Sequence, residues 1–507
     1  MLQQLSYFFS TIGSILISPI QLLLLFGSMI LGIVFGALPG LTATLGVALL
    51  TTITYSMNTN TALIALFGIY IGAIYGGSYG SILLNIPGTP SAAATALEGY
   101  PMAMRGEGGK ALGLTTTASS IGTILGTVAI VVFAPLVAAV AMKLASFEFF
   151  LLAFLGIMLS GTLSTPDTVI KGWIAGFLGL WISMIGRDAL QFYPRFTFGL
   201  NALDSGIDVV PMLIGAFGIP QILTVLINAR KGDVKVESVA KVRPEWGTIV
   251  KNIPTIVRSS LIGVGIGAVP GLGEDIAAWV AYGTAKRTSK HPETFGTGEV
   301  QGVIAAETAN NACIGGAIIP LLSLGIPGSP PAAMLLGALV LHGIQPGPML
   351  SIEQPDFIPM VSAIIFLSTI AMWVLGMFLI KFVVKVIKIS PSLFMPIVGM
   401  LCFMGAYALG LKVFNLYLMV PIGIFCYFLG KMDYPIAPLV IGVILGPMVD
   451  QNLRRGLMVS QGSLMPLITR PFALLLVIVI VLMFVSQSRI YKATMAKLTS
   501  AILRKKR

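Results

Sequence analysis

The chain has 507 residues, of which 56% are hydrophobic and only 10% are charged, whereas soluble domains carry roughly 25% charged residues. Its mean hydropathy of +0.95 excludes an ordinary soluble domain and indicates an integral membrane protein. The 31 Lys and Arg residues outnumber the 19 Asp and Glu residues, but they concentrate in loops and tails, where they indicate the cytoplasmic side of a membrane rather than nucleic-acid binding.

Apolar segments recur from residue 21 to residue 485. At about 20 residues per span, they predict an all-α polytopic membrane protein with about 10 to 13 transmembrane helices. Residues 1–20 carry neither the basic region nor the cleavage site of a signal peptide, so we predict an N-terminal segment at the membrane interface. The predicted domains that follow are repeat 1 (21–229), a basic linker (230–258), repeat 2 (259–487) and a basic tail (488–507), with linker and tail cytoplasmic.

Two motifs divide the chain into halves because each occurs twice, in the same order. The sequence GALPGL at 36–41 recurs as GAVPGL at 267–272, and NIPGTP at 85–90 recurs as GIPGSP at 325–330. Repeats in a membrane protein are typical of transporters built around a pseudo-symmetry axis. The residues themselves leave open whether the repeats are inverted.

Each Pro-Gly pair interrupts an apolar helix, because Pro removes a backbone donor and Gly weakens the helix. Irregular backbone at membrane depth persists only inside protein or beside a wet cavity. The freed N–H groups suit a carboxylate, and the freed carbonyls suit a small cation such as sodium. The candidate substrate ligands are the hairpin residues and two upstream amides: Asn85, Pro87, Gly88, Thr89, Pro90, Ser91, Asn310, Asn311, Pro327, Gly328, Ser329 and Pro330. The candidate cation-coupling residues are Pro39, Gly40, Pro270, Gly271 and Glu307.

Several of the residues in and near the Pro-Gly motifs also have a simpler structural interpretation. Thr89 and Ser329 suit helix caps, and Glu274 with Asp275 suits the positive end of a new helix. Glycines spaced four residues apart before the Pro-Gly pairs favour close helix packing. Charges near the last loop predict an ion pair at the membrane face or a contact with a partner; they are Asp450, Arg454 and Arg455.

An enzyme is not expected. Residues 76–80 match the Gly-x-Ser-x-Gly pattern, but that motif needs a strand-turn-helix and a histidine partner, and the chain has only two histidines. Its three cysteines are scattered singly, so they form neither a disulfide framework nor a metal motif. A channel or an exporter that works without a binding protein is the alternative to a carrier.

Taken together, the motifs resemble the large membrane subunit of the bacterial tripartite tricarboxylate transporters. In the first half the resemblance rests on residues 36–40, 75–78, 84–90, 98–101 and 195–199. In the second half it rests on residues 267–271, 295–298, 307–312, 325–329, 343 and 346–348. Asp275 stands within the second motif where the resemblance leads us to expect variable residues.

The resemblance implies a secondary carrier in the bacterial inner membrane that imports di- or tricarboxylates together with sodium or protons, without a cofactor. It also implies inverted repeats and an elevator-like movement of the two Pro-Gly hairpins. The implied partners are a small membrane subunit with about four spans and a periplasmic solute-binding protein. A homodimer is compatible with it, and no nucleic acid is expected.

Overall fold

The computed structural model describes residues 2–164, 168–227, 242–389, 391–408 and 411–487. Helices dominate these ranges, and eight of them are long and apolar enough to cross a membrane, with shorter apolar helices between them. The prediction of an all-α polytopic membrane protein is confirmed. Residues 230–241 of the predicted basic linker (230–258) and the whole of the predicted tail (488–507) lie outside the described residues.

The helices before the linker are α1 (Leu2–Ile17), α2 (Pro19–Ala37), α3 (Ala43–Thr54), α4 (Thr59–Leu84), α5 (Ala92–Met104), α6 (Gly108–Ala141), α7 (Ser146–Ser164), α8 (Val169–Ser183) and α9 (Val209–Ile227). Strands β1 (Gly186–Arg187) and β2 (Pro194–Arg195) lie between α8 and α9 and pair antiparallel.

The helices from the linker onward are α10 (Trp246–Lys251), α11 (Ile253–Gly267), α12 (Gly273–Thr288), α13 (Val300–Leu324), α14 (Pro330–Leu341), α15 (Leu350–Glu353), α16 (Phe357–Phe378), α17 (Ile380–Ile387), α18 (Pro391–Ala408), α19 (Val413–Lys431), α20 (Ile436–Val459), α21 (Pro466–Thr469) and α22 (Pro471–Gln487). The described end of the linker therefore contains α10 and the start of α11.

All four Pro-Gly motifs interrupt helices at equivalent places. The first motif of each half separates α2 from α3 and α11 from α12. Its glycine adopts a backbone conformation with positive φ, 94° at Gly40 and 81° at Gly271. The second motif separates α4 from α5 and α13 from α14. There the helix ends on a left-handed residue, Asn85 (φ 56°) or Gly325 (φ 71°), because this conformation suits Gly best and Asn next.

Close glycine contacts hold α2 against α4 and α11 against α13. A Cβ atom added at Gly36 would lie 2.1 Å from the carbonyl oxygen of Ala73, and one at Gly267 would lie 2.4 Å from that of Cys313. Only a residue without a side chain fits at such distances. The four-residue glycine spacing thus serves helix packing, as its simpler interpretation predicts.

The matched helices α4 and α13 run in opposite directions, as their contacts with α6 show. Tyr75 of α4 contacts Thr116, and Leu83 lies beside Gly108, so α4 is antiparallel to α6. On α13, Glu307 contacts Ser119 and Ser323 contacts Ala134, so α13 is parallel to α6.

Candidate substrate and ion site at the helix breaks

Each hairpin returns into the protein before its second helix starts. After α4 ends, the chain turns back until Thr89 and Ala92 lie against Gly77, and α5 then runs beside α4 with Gly99 against Ile82. Leu84 lies seven positions after Gly77 in the helix, which is about 10 Å of helix. In the second half, Gly328 lies in the same way against Ala317. The N-termini of α5 and α14 are therefore internal.

The two breaks within each half touch each other. A Cβ atom at Gly88 would lie 1.8 Å from the carbonyl oxygen of Gly36, and one at Gly328 would lie 2.0 Å from that of Gly267. The Gly271 backbone N–H also donates to the carbonyl oxygen of Gly328 over 3.0 Å. Because both breaks depend on backbone contact, the motif glycines leave no room for larger residues.

Contacts between the halves bring all four breaks into one region. Tyr70 of α4 donates a 2.5 Å hydrogen bond to Glu274 Oε1, and its hydroxyl lies 2.9 Å from Ser329 Oγ. The Asp275 carboxylate of α12 lies near the backbone N–H of Ser91 at the start of α5. Helix α5 packs on α12, and α14 packs on α3. We call this region the break cluster; it comprises residues 36–41, 85–91, 267–275 and 325–330.

The two hairpins differ in exposure. In the first, Asn85, Pro87 and Pro90 are exposed, and Ile86 is 44% exposed. In the second, the equivalent of Ile86 is Ile326, which is only 1% exposed. Its covering residues come from α7 and α20: Ala153, Ile157, Ile441, Leu445 and Val449. The first hairpin is thus open to its surroundings while the second is covered.

Among the predicted ligands, Thr89, Ser91, Gly88, Pro327, Gly328 and Ser329 are buried. Ser329 caps α14 by accepting from the Ala332 backbone N–H over 3.4 Å, which is the simpler role considered for it. Thr89 does not cap α5: its hydroxyl lies 3.0 Å from that of Ser91. Asp275 is exposed beside the buried Glu274.

Two amides on α13 have unused hydrogen-bonding capacity. Asn311 Nδ2 donates to Thr123 Oγ1 over 3.0 Å, but its Oδ1 has no partner. Both polar side-chain atoms of Asn310 are buried without a partner in the described part of the chain. Because buried polar groups are normally bonded, such orphans mark positions where a polar ligand or ion can bind.

Glu307 lies apart from the Pro-Gly motifs, in a cluster of hydroxyls. Its Oε1 accepts from Ser78 over 2.6 Å and from Thr95 over 2.5 Å, and its Oε2 accepts from Ser119 over 2.8 Å. The three donors lie on α4, α5 and α6. The structure therefore does not place Glu307 among the other predicted cation ligands, Pro39, Gly40, Pro270 and Gly271.

Several contributing residues were missed by the sequence interpretation. Tyr70 and Ser119 lie in apolar helices without a local signal, and their roles depend on contacts with the other half of the chain. Glu98 had a signal, since it is a charge within an apolar helix. Its carboxylate accepts four hydrogen bonds of 2.6 to 2.8 Å. The donors are the Tyr282 hydroxyl and the backbone N–H groups of Gly296, Gly298 and Glu299. Two of the motifs that carry the family resemblance, 98–101 and 295–298, thus contact each other.

The predicted ion pair at the membrane face is part of a larger network. Arg195 lies 3.0 Å from Asp450 and 3.4 Å from Asp188, and Arg454 donates to Asp188 as well. The hydrogen bond from Arg454 lowers the pKa of Asp188 from 3.8 to about 2. Arg455 is exposed beside this network. These charges fix the loop between α8 and α9 onto α20.

A multi-pass membrane fold with paired broken helices around an internal polar region defines a membrane transport protein rather than an enzyme. The chain matches the family described as "Tripartite tricarboxylate transporter TctA family" over residues 22–441. It belongs to this family, which is a family of transporters.

Two curated relatives come from Agrobacterium vitis. The "Uncharacterized 52.8 kDa protein in TAR-I ttuC' 3'region" is 34% identical over 457 residues, which is 90% of this chain and 91% of the relative. The "Uncharacterized protein in TAR-II ttuC' 3'region" is 34% identical over 208 residues, which is 41% of this chain and 86% of the relative. No solved structure matches the chain.

Proposed function

We propose that this protein is the large transmembrane subunit of a cation-coupled, binding-protein-dependent secondary transporter that imports di- or tricarboxylates across the bacterial inner membrane. The observation that carries the proposal is the meeting of the two hairpins. At the N-terminus of α5, Ser91 lies near Asp275 of α12. At the N-terminus of α14, Ser329 contacts Tyr70 of α4. The two N-termini, one from each half, therefore reach the same internal region.

Helix N-termini supply the positive potential for a carboxylate. Each carries a partial charge of about +0.5 together with unpaired N–H groups. Neither hairpin contains Lys or Arg, and the charged residues of the break cluster, Glu274 and Asp275, are both acidic. A substrate with two or three negative charges therefore needs cations bound with it. Moving one net positive charge through 100 mV supplies about 2.3 kcal/mol, so cation coupling also explains how uptake proceeds against a gradient.

The proposal includes inverted repeats and alternating access. It is supported by the antiparallel course of α4 and α13 and by the unequal exposure of Ile86 and Ile326. We infer that the covered hairpin opens when the other closes, as one repeat moves against α7 and α20. An elevator-like displacement of both hairpins would produce this exchange.

The orientation follows from the distribution of basic residues. Those around the ends of α5, α12 and the linker lie on one face: Arg105, Lys110, Arg243, Lys286 and Arg287. By the positive-inside rule this face is cytoplasmic. Helix α9 has 19 residues and spans about 28 Å, so the network around Asp188 lies on the opposite, periplasmic face. We propose that the solute-binding protein docks on that face and that a small four-span subunit completes the complex.

The test is uptake of labelled citrate by vesicles that contain the complete complex. Thr89→Val, Ser329→Ala and Asn311→Ala remove polar groups at or near the break cluster, and we expect each to reduce uptake at least tenfold. Ser362→Ala and Thr369→Val are matched controls, because in the described part of the chain these buried hydroxyls bond to carbonyls of their own helix and to nothing else. Full activity in all three site variants would remove the site assignment. Uptake that persists without the binding protein would favour the channel interpretation.

A further inference from the structure

Glu307 is a buried carboxylate whose three hydrogen-bond donors are all neutral hydroxyls. It is 0% exposed, and it forms no ion pair with any Lys, Arg or His among the described residues. Its three hydroxyl donors come from α4, α5 and α6, all in the first half, whereas Glu307 belongs to the second. A carboxylate in this position joins the two halves without a compensating charge.

Few other titratable groups face Glu307. Tyr75 of α4 interacts with it directly, and the other acidic groups on the helices packed against α13 are Glu98 of α5 and Glu274 and Asp275 at the start of α12. On its own helix, Cys313 is the nearest in sequence, while α16 contains none and α6 has only Lys110 at its cytoplasmic start. Arg258 of α11 does not pair with it. Among the described residues, none of these groups forms an ion pair with Glu307.

A buried carboxylate without a counter-charge takes up a proton or binds a cation, because the isolated ion is costly in a medium of low polarity. We propose that Glu307 is the proton-binding group that couples transport in this carrier, and that the coupling ion at this position is a proton rather than sodium. The inference rests on the proposed carrier function and specifies its coupling.

The hydroxyl cluster can accommodate both protonation states. A Ser or Thr hydroxyl offers one donor and two acceptor sites and rotates freely. When Glu307 is ionised, Ser78, Thr95 and Ser119 all donate to it. When it is protonated, its O–H donates to one of these oxygens, and that hydroxyl turns to donate to a backbone carbonyl of its own helix. The proton is gained and lost with no heavy atom displaced.

Sodium fits the same cluster poorly. The three contacts of 2.5 to 2.8 Å are direct O–H···O hydrogen bonds. A metal ion held at about 2.4 Å from each oxygen keeps neighbouring ligands about 3 Å or more apart. Sodium would therefore have to lengthen all three of these contacts, which join α13 to α4, α5 and α6.

The proton site is linked to the substrate site through one turn of α5. Thr95 contacts Glu307, and Ser91, four residues earlier, lies at the N-terminus of α5, which the proposed function assigns to substrate binding. Residues four apart lie on the same face of a helix. Movement of α5 on substrate binding therefore changes the contact between Thr95 and Glu307, and protonation of Glu307 changes the position of Ser91.

The test uses the complete complex in proteoliposomes with labelled citrate and a pH dye in the lumen. For the parent protein we expect an inward proton gradient to drive uptake without sodium and to acidify the lumen. For Glu307→Gln we expect the loss of proton-driven accumulation and of acidification, and whatever citrate exchange remains should be equal from pH about 6 to about 8. Uptake by the parent that requires sodium and ignores the pH gradient would overturn the proposal, as would acidification by Glu307→Gln.

A second pair of variants keeps the test decisive if Glu307→Gln does not fold. Ser119→Ala removes the one donor to Oε2 found among the described residues, so the pH at half-maximal uptake should rise by about one unit. Ser120→Ala is the matched control, since its hydroxyl bonds only to the Thr116 carbonyl, and its pH profile should be that of the parent. Identical profiles for both variants would refute a proton site at Glu307. Absence of citrate uptake or exchange by the parent under any gradient would instead refute the carrier function itself.

Discussion

The hydroxyl oxygens of Tyr70 and Ser329 lie 2.9 Å apart, although 259 residues separate them along the chain. Tyr70 belongs to the buried helix α4 of the first half, and Ser329 begins α14 of the second. The same tyrosine donates to Glu274 at the start of α12. One phenol thus connects the core of one half with both breaks of the other.

We expect Tyr70→Phe to impair both stability and transport. The buried Glu274 loses a donor, and an unsatisfied buried group costs about 1 to 3 kcal/mol. Tyr79→Phe is the control, because Tyr79 is equally buried but donates to the Gly376 carbonyl, away from the break cluster. The midpoint temperature of thermal unfolding in detergent should fall for both variants, whereas citrate uptake should fall only for Tyr70→Phe. Equal uptake by the two variants would contradict a role for Tyr70 in the site.

Gly88→Ala and Gly328→Ala should each abolish transport. Their added methyl groups would lie 1.8 and 2.0 Å from carbonyl oxygens of the neighbouring break, so the hairpin must shift. Overpacking of this kind costs about 1 to 3 kcal/mol or more. Gly265→Ala is the control, since nothing lies within 4 Å of its Cβ position. Uptake and unfolding midpoint are the measurements, and normal uptake by Gly88→Ala would show that the first hairpin needs no close backbone contact.

Glu98→Ala should release the loop between α12 and α13 from α5. The carboxylate accepts three backbone N–H groups and the Tyr282 hydroxyl, and each hydrogen bond to a charged group contributes about 1.5 to 3 kcal/mol. Amide hydrogen exchange at residues 296–299 should become faster in this variant. The exposed Glu293 provides the control as Glu293→Ala. Unchanged exchange rates in Glu98→Ala would mean that the loop is held by other contacts.

Asp188→Asn should destabilise the protein in a pH-dependent manner. Hydrogen bonding from Arg454 lowers the pKa of Asp188 from 3.8 to about 2, so the folded state favours the ionised form. This stabilisation is complete above pH about 4 and disappears as pH falls to about 2. The difference in unfolding midpoint between the parent and Asp188→Asn should therefore be constant from pH about 7 to 5 and shrink below that. A constant difference down to pH about 2 would argue against the ion pair.

The helix breaks were predictable because their causes are local. Proline at 39, 87, 270 and 327 removes a backbone hydrogen-bond donor from the helix. The glycine that follows can adopt backbone conformations that are strained for other residues. The membrane class followed from composition for a similar reason. Both predictions needed only a few neighbouring residues.

The partners of the site residues depend on long-range register and were not predictable. Nothing near Ser78 or Ser119 indicates that both point to Glu307, which lies about 190 to 230 residues further along the chain. The different exposure of Ile86 and Ile326 also has no local signal, because their motifs are nearly the same. That difference arises from the placement of α7 and α20, which cover only the second hairpin.

The complete enclosure of α4 has a consequence for biosynthesis. Every residue from Thr61 to Leu83 is buried, so this helix has no surface for lipid, and its glycines and hydroxyls suit protein neighbours instead. Two of those neighbours, α13 and α16, are translated roughly 200 residues or more after it, a delay of about 10 to 40 s at ordinary elongation rates. During that interval α4 depends on α2, α3, α5 and α6, or on an insertion factor, for shelter from the bilayer.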